Sequence, residues 1–564
     1  MGLTGDLAIT AGAVTIGGVV DVAGDLVIDA TGMVAFGSGV TVGGDLVIRN
    51  ATGVTFGGTL AVGGTITFVG ITGATRFTEL VTAADDLTIT ATTAVEFLGG
   101  LAAAGDVTIT SNEVEFRGGA ASVTGPATGT LVVQPHTAAR PIRVGTPTGS
   151  VLNTLDISDT DLAAIAPGWA AVVIGDAAAG TGAVTIGSIG TQQGTGNSWL
   201  ANSTTIVGGT VTVAQKVVVA ATAAYLKLVA RTGGVTVNAA LNETAAERNA
   251  WLRLEAAQAV AINAPIWATQ TVSLVSGTAT SQTAVAPIVT SGLRVSAGDA
   301  VSLAASGNAF DTLAVATTDD AISIREDSGY EIGTVDGVSG ITVGTATATL
   351  ESQGTVTQTQ PINAGVLDLQ GKAGNWVLNG ANTVGTLTGS TGRIAFTESG
   401  AIALGALTLS AASGTALAVT APGGITLGGD ITTAGGDAVF NHAVTLAADI
   451  AIDVAEGAAV GTARFLSTVE GTAHGQQGLA LAGNLVADGS IGAVTALENL
   501  AVSGDSALAA GVSVRTTGDQ TYAGAVTSPG EVTVRAGAGA TVRFQGDVSL
   551  GGLVAAPTYK SAYH

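Results

Sequence analysis

The chain has 564 residues, with 42 acidic and 19 basic side chains for a net charge of −23, and no cysteine. That balance argues against a nucleic-acid partner, because phosphate backbones would repel such a surface, and without cysteine there are neither disulfides nor thiolate metal sites. Hydrophobic residues reach 46%, yet they come two or three at a time, without the run of about 20 apolar residues that a membrane helix needs.

Residues 1–125 repeat. "GDLVIDATGMVAFGSGVTVG" (24–43) is followed at once by "GDLVIRNATGVTFGGTLAVG" (44–63), and aligned starts fall at Gly5, Gly24, Gly44, Gly64, Asp85 and Gly105. A fixed period near 20 residues signals a solenoid. Each unit holds three short alternating runs, the pattern of strands with one buried face. The first run buries pairs such as Leu7/Ile9, Leu26/Ile28, Leu46/Ile48 and Leu87/Ile89. The second places Ile16, Phe36, Phe56, Phe77, Phe97 and Phe116 at one position. The third adds pairs such as Val20/Val22, Val40/Val42 and Leu60/Val62. Three strands per unit predict an all-β parallel β-helix with coils of about 20 residues stacked at ~4.8 Å. The five phenylalanines should form an internal stack. Coils of that size along the whole chain would give a rod on the order of 130 Å.

Residues 126–260 are expected to continue the β-helix with excursions. "LDISDTDLAAIAPGW" reads as one short helix, with Ser158 as N-cap, Asp161 completing a capping box and Pro167-Gly168 ending it. "NETAAERNAWLRLEAA" (242–257) is a second candidate helix or loop excursion. Residues 261–555 read as an irregular β-helix, and 556–564 as a disordered or tag-like tail. The candidate excursions are 126–150, 188–204 and 240–252, with Trp199 and Trp251 as candidate ligand contacts. "MGLTGDLAIT" has neither the basic segment nor the apolar core of a signal peptide. The repeat is in register by Gly5 and extends to about Leu550, so the expectation is a piece of a longer chain, or subunits stacked end to end to cover open strand edges.

The repeat "GDLVIRNATGVTFGGTLAVGG" resembles that of the filamentous haemagglutinin family of bacterial surface exoproteins. So does the block 131–187, beginning "LVVQPHTAARPIRVG", and so do "YEIGTVDGVSGITVG" (330–344), "GTVTQTQPINAGVLDLQG" (354–371) and "RTTGDQTYAGAVT" (515–527). The family's secretion domain with its "NPNG" motif is missing. The resemblance implies a right-handed β-helix, a place outside the cell on a Gram-negative surface, an outer-membrane transporter as export partner, and a role as adhesin, biofilm component or stalk. Expected partners are surface glycans or proteins, or copies of the same chain end to end.

The residues offer little for catalysis. β-Helices that cleave polysaccharides need clustered carboxylates, and the richest local cluster is Asp319, Asp320, Arg325, Glu326, Asp327 and Tyr330. Its plainer reading is a polar loop or outer strand face. His136, His442, His474 and His564 lack metal-ligand spacing. The expectation is a non-enzymatic shaft without a cofactor. A head-to-tail filament subunit and a polysaccharide-degrading enzyme are the alternatives. Asp6, Asp25, Asp45, Asp86 and Asp106 should share one corner, interrupted by Thr65. Each should accept an N–H of its own turn, the alternative being a column for a divalent cation such as Ca²⁺. The outward column Thr15, Ala35, Thr55, Arg76, Glu96, Glu115 predicts an Arg76–Glu96 ion pair between adjacent coils.

Overall fold

The computed structural model describes residues 2–145, 153–187, 200–219, 225–242 and 251–555. The chain is a parallel β-solenoid of about 25 turns with coils of about 21 residues. It divides into two compact units, Met1–Ala297 and Gly298–His564.

In the first unit, residues 2–124 build three faces from the three predicted runs. The first face stacks Leu7–Ala11, Leu26–Ala30, Leu46–Arg49, Ile66–Ile71, Leu87–Ala91 and Val107–Thr110. The second stacks the strands ending at Ile16, Phe36, Phe56, Phe77, Phe97 and Phe116, like residue on like. The third runs from Gly2–Leu3 to Val123–Thr124. Alternation does what the pattern requires: Leu26, Ile28 and Ala30 are buried while Val27 and Asp29 are only half covered.

The phenylalanine column forms as expected. Ring centroids of Phe36, Phe56, Phe77, Phe97 and Phe116 follow one another at 4.9, 5.4, 4.7 and 5.7 Å. Phe68, on the first face, joins it at 6.0 Å from both Phe56 and Phe77. Such pairs add about 0.5–1.5 kcal/mol beyond the area they bury.

The segment 158–169 ends two of the three faces. Ser158 caps the helix α1 (Asp159–Ala164) in a capping box with Asp161, as the sequence predicts. Asp161 also does something the motif does not announce. Its Oδ1 accepts the Phe116 N–H at 2.7 Å, terminating the second face, while Oδ2 accepts the Ser158 N–H at 2.9 Å and its hydroxyl at 2.5 Å. The third face stops where Val123 bridges Ile165 and its carbonyl accepts the Ala166 N–H and, at 3.4 Å, the Trp169 indole N–H. The first face alone runs on, through Thr130–Gln134, Ala171–Ile174, Thr204–Gly208, Tyr225–Ala230, Trp251–Ala256 and Thr271–Ser276 to Ile288–Ala297.

This junction is acidic. Burial first, then the charges of Asp156 and Glu115, push the Glu113 carboxyl up to about 7; Arg140 opposes the shift and Asp161 adds to it. Burial also raises Asp161, against its hydrogen bonds. A carboxyl raised in the folded state contributes stability that is full below its unfolded value and is lost as pH climbs through the folded one. The junction should therefore loosen between pH 5 and 8. Glu113 is only half covered, so the effect is on the order of 1 kcal/mol rather than the ~3 kcal/mol that the shift alone represents. Amide exchange at 113–117 and 159–165, corrected for intrinsic rates, should accelerate over that range, and Glu113→Gln should flatten the dependence. A pH-independent junction in the unaltered chain refutes this.

The candidate helix at 242–257 is corrected. Residues 243–250 lie outside the described residues, but Trp251–Ala256 is a strand with Leu252, Leu254 and Ala256 buried. The Ala, Glu, Arg and Leu content favours a helix, but the period-2 burial of "WLRLEA" within a laddered sheet overrides propensity.

The second unit continues the same construction. Val301–Leu303, Ile322–Glu326 and Thr347–Ser352 ladder in sequence onto residues 366–370 of the long strand Ile362–Glu398. Trp376 is fully buried, and Phe440 stacks on Phe465 at 5.0 Å. Two antiparallel hairpins leave the coil, Thr334–Val335 with Val338–Ser339 and Ala455–Glu456 with Ala459–Val460. The first turns through Asp336 and Gly337, both at positive φ (45° and 80°), the backbone an Asp-Gly hairpin turn requires. Among the described residues no helix is long and apolar enough to cross a membrane.

Candidate functional site

The aspartate column exists, but its bonding differs from the expectation. Asp6, Asp25 and Asp45 do not cap their own turns. Each Oδ1 accepts the backbone N–H of the equivalent residue one coil on: Asp25 at 2.9 Å, Asp45 at 2.8 Å and Thr65 at 2.7 Å. After the interruption at Thr65, Asp86 and Asp106 do the same to Asp106 and Thr130, both at 2.7 Å. Parallel stacking at coil spacing brings the next coil's N–H within reach of the side chain. The preceding glycine leaves the room for it: a Cβ on Gly24, Gly44, Gly64 or Gly105 would lie 2.1–2.2 Å from the carboxylate below. Similar bonds recur in the second unit, where Asp430, Asp437, Asn484, Asp505 and Asp519 accept from Ala451, Thr462, Asp505, Ala525 and Thr541. All five of these residues follow a glycine. The column is thus a hydrogen-bond ladder. Among the described residues no group of three or more His, Asp or Glu is arranged to hold a metal ion.

Arg76 and Glu96 are register partners on adjacent coils, with Nε and Oε2 3.8 Å apart. Both are partly exposed, so the pair contributes about 0–1 kcal/mol.

The acidic cluster at 319–330 does not converge on a point. Asp319 accepts the N–H and hydroxyl of Thr345, which hold its carboxyl below the usual range. Glu326 is buried and accepts from Ser328 and Gly329. Arg325 pairs with Asp327 at 2.8 Å and with Glu351 at 3.4 Å. Tyr330 lies in the core beside Phe310, at 5.2 Å, with its hydroxyl raised by burial. Asp320 closes the turn through its backbone, its carbonyl accepting the Thr317 hydroxyl and its N–H donating to it.

Trp199 falls outside the described residues, as do 146–150, 188–199 and 243–250 of the candidate excursions. Trp251 takes its place on the continuing first face and has its side chain half buried. It meets Tyr225 of the neighbouring coil edge-on, ring centroids 6.2 Å apart at 87°. Two residues along the same strands, the register sets Thr205, Lys227, Arg253, Ser273 and Arg294 in one column, half covered except at Ser273, which is buried. The next column reads Val207, Val229, Glu255 and Val275. Glu255 bonds Lys227 and Arg253, each at 3.0 Å. Burial would raise its carboxyl, but the Lys227 hydrogen bond and the two cationic charges outweigh it and hold the group below its ordinary value.

A groove of about 550 Å³ opens over these columns. Lys227, Arg231 and Glu255 line it above a floor of Val207, Val229 and Val275, and Ala177 forms part of its wall. Arg231 stands at its edge, its Nη1 buried without a hydrogen-bond partner. A smaller hollow of about 330 Å³ in the second unit is lined by Lys372 and Arg393, but Arg393 there bonds the carbonyls of Thr415 and Ser413. Sequence reasoning reached Trp251 by residue type alone and missed the cations beside it. They are 26 and 41 residues apart, and only the strand register aligns them.

The arrangement gives a half-buried aromatic pair, a row of cations and an apolar floor on one sheet face, with Glu255 paired to Lys227 and Arg253. Among the described residues that line the groove, Glu255 is the one carboxylate, whereas glycoside hydrolysis uses two opposed ones. No family model matches the chain, nor does any curated protein or solved structure, so the likeness to filamentous haemagglutinins gains no support from them.

Proposed function

We propose that the chain is a non-enzymatic structural and adhesive segment of an extracellular bacterial surface protein, in which the solenoid carries a binding face. The observation that carries this reading is the division of labour among the polar groups. The aspartates of the column are engaged in coil-to-coil bonds and Asp319, Glu326 and Asp327 in turn bonds and an ion pair, whereas Lys227 and Arg231 line a groove with a valine floor. A solenoid whose coils contact only their neighbours presents extended lateral surfaces suited to such binding.

The test is retention of the purified chain on a panel of immobilised polysaccharides and surface proteins, together with assay of the polysaccharides for new reducing ends. The expected result is retention on at least one surface with every polymer left intact. Release of reducing ends, or retention on nothing, overturns the proposal.

A further inference from the structure

We propose that Arg515 and Arg535, with the hydroxyls of Ser513 and Thr533, bind a single phosphate group, free or as a monoester. The site lies in the second unit and stands independently of the adhesive reading above.

Register is the first argument. Strand Ser513–Arg515 pairs in parallel with the end of strand Val526–Arg535, setting Ser513 beside Thr533, Val514 beside Val534 and Arg515 beside Arg535. Val514 and Val534 are buried, so the residues on either side of them point to the opposite, outer face of the sheet. A pair of hydroxyls and a pair of guanidiniums therefore share one face. Arg515 is half covered and Arg535 exposed. Neighbouring strands lie ~4.8 Å apart, and like charges directly opposite one another across a ladder are destabilising.

The chain shows how it treats such a pair elsewhere. Among the described residues, cation stands beside cation in one other register pair, Lys227 and Arg253, and there Glu255 bonds both at 3.0 Å. At Arg515 and Arg535 the bridging carboxylate is missing, and neither guanidinium has a hydrogen bond or ion pair among the described residues. The bridge between Ile491 and Val514 places Gly492, which has no side chain to offer, beside Arg515 on the preceding coil. One coil further back, Glu470 accepts the N–H groups of Val494 and Thr495. Asp519 accepts the Thr541 N–H at 2.8 Å. Glu531 precedes Arg535 by four residues on its own strand, about 13 Å away along it. In a chain with 42 acidic side chains against 19 basic ones, two adjacent arginines without a counter-charge break the local rule, and such breaks are expected at functional sites.

An external oxyanion would take the place that Glu255 fills in the other pair. A carboxylate has two oxygens and one charge, which one guanidinium fork already satisfies. A phosphate monoester carries about 1.5–2 negative charges near pH 7 and three acceptor oxygens, enough for both forks and a hydroxyl. The net charge of −23 repels long polyanions, so the ligand is one anionic group rather than a charged polymer.

The test is arginine modification by phenylglyoxal on the full chain, read peptide by peptide by mass spectrometry. Inorganic phosphate, glucose 6-phosphate and acetate are compared at up to about 10 mM, a range that reads millimolar affinity, with sodium chloride holding the ionic strength constant. Phosphate should slow modification of Arg515 and Arg535 at least threefold, while Arg543, exposed on strand Val542–Phe544 and outside the pair, keeps its rate. Protection by glucose 6-phosphate marks a monoester site and protection by the inorganic ion alone a site for free phosphate; either supports the inference. Arg515→Gln should abolish protection of Arg535, and Arg535→Gln that of Arg515, with circular dichroism checking that each variant keeps its strand content. Equal protection by acetate, equal slowing at Arg543, no slowing at either arginine, or protection of one arginine that survives loss of the other overturns the proposal.

Discussion

Gly44→Ala is expected to destabilise the N-terminal coils by about 2–5 kcal/mol, although Gly44 is not among the glycines at positive φ. The residue is glycine for space, not for backbone freedom. A Cβ there would lie 2.1 Å from Oδ1 of Asp25 and 3.1 Å from the Gly24 carbonyl carbon. The Asp25 carboxylate would have to swing away, leaving the Asp45 N–H, now held at 2.8 Å, without its acceptor. Crowding of this kind costs about 1–3 kcal/mol and an orphaned donor about 1–3 kcal/mol. Coils contact only their neighbours, so hydrogen exchange should accelerate between residues 24 and 65 and stay unchanged in the second unit. Adding Asp25→Ala removes the oxygen that clashes, so the double variant should be less destabilised than the sum of the singles. Asp25→Asn should be nearly neutral, since Asn484 makes the same bond in the second unit. A fully stable Gly44→Ala would mean that the ladder does not set the spacing of these coils.

That prediction rests on a feature half legible in the sequence. The Gly-Asp dipeptide and its period place the column correctly, because a constant repeat keeps like residues in register through Phe116. The same constancy makes the phenylalanine stack and the Arg76–Glu96 pair readable. The partner of each aspartate was not readable, because turn chemistry gives the local N–H and the inter-coil N–H equal standing until the strand spacing is known. Beyond residue 125 the coils lengthen and vary, and periodicity stops reporting register. Lys227, Arg253 and Arg294 then look scattered. The strand Trp251–Ala256, whose alternation is clear once its neighbours are known, is masked in the sequence by helix-favouring residues. The hairpin at Thr334–Ser339 did carry a usable signal, the Asp336-Gly337 pair. The filamentous haemagglutinin resemblance rests on blocks of low complexity. Such blocks reflect what any parallel coil demands, glycine at close approaches and alternating aliphatics between them, so they speak for the fold more strongly than for ancestry.

Asp161→Ala should be the most damaging single change at the junction, costing about 3–5 kcal/mol. The side chain is 3% exposed and joins a six-residue helix to the last strand of the second face. Its removal abolishes the capping box, typically worth about 1 kcal/mol. It also leaves the N–H groups of Phe116 and Ser158 without an acceptor, at about 1–3 kcal/mol for each that stays buried. The loss is not confined to local bonds. Val114–Phe116 is the last strand of its face, and an uncovered strand edge is a template for pairing with another chain. The variant should therefore lose exchange protection at Phe116 and along α1, and should self-associate in light scattering at concentrations where the unaltered protein does not. Asp161→Asn keeps one carbonyl oxygen for Phe116 but turns an N–H₂ donor toward Ser158, so an intermediate loss is expected. Continued protection of the Phe116 amide in Asp161→Ala would show that the helix backbone alone closes the face. The carboxylate would then be a local cap and nothing more.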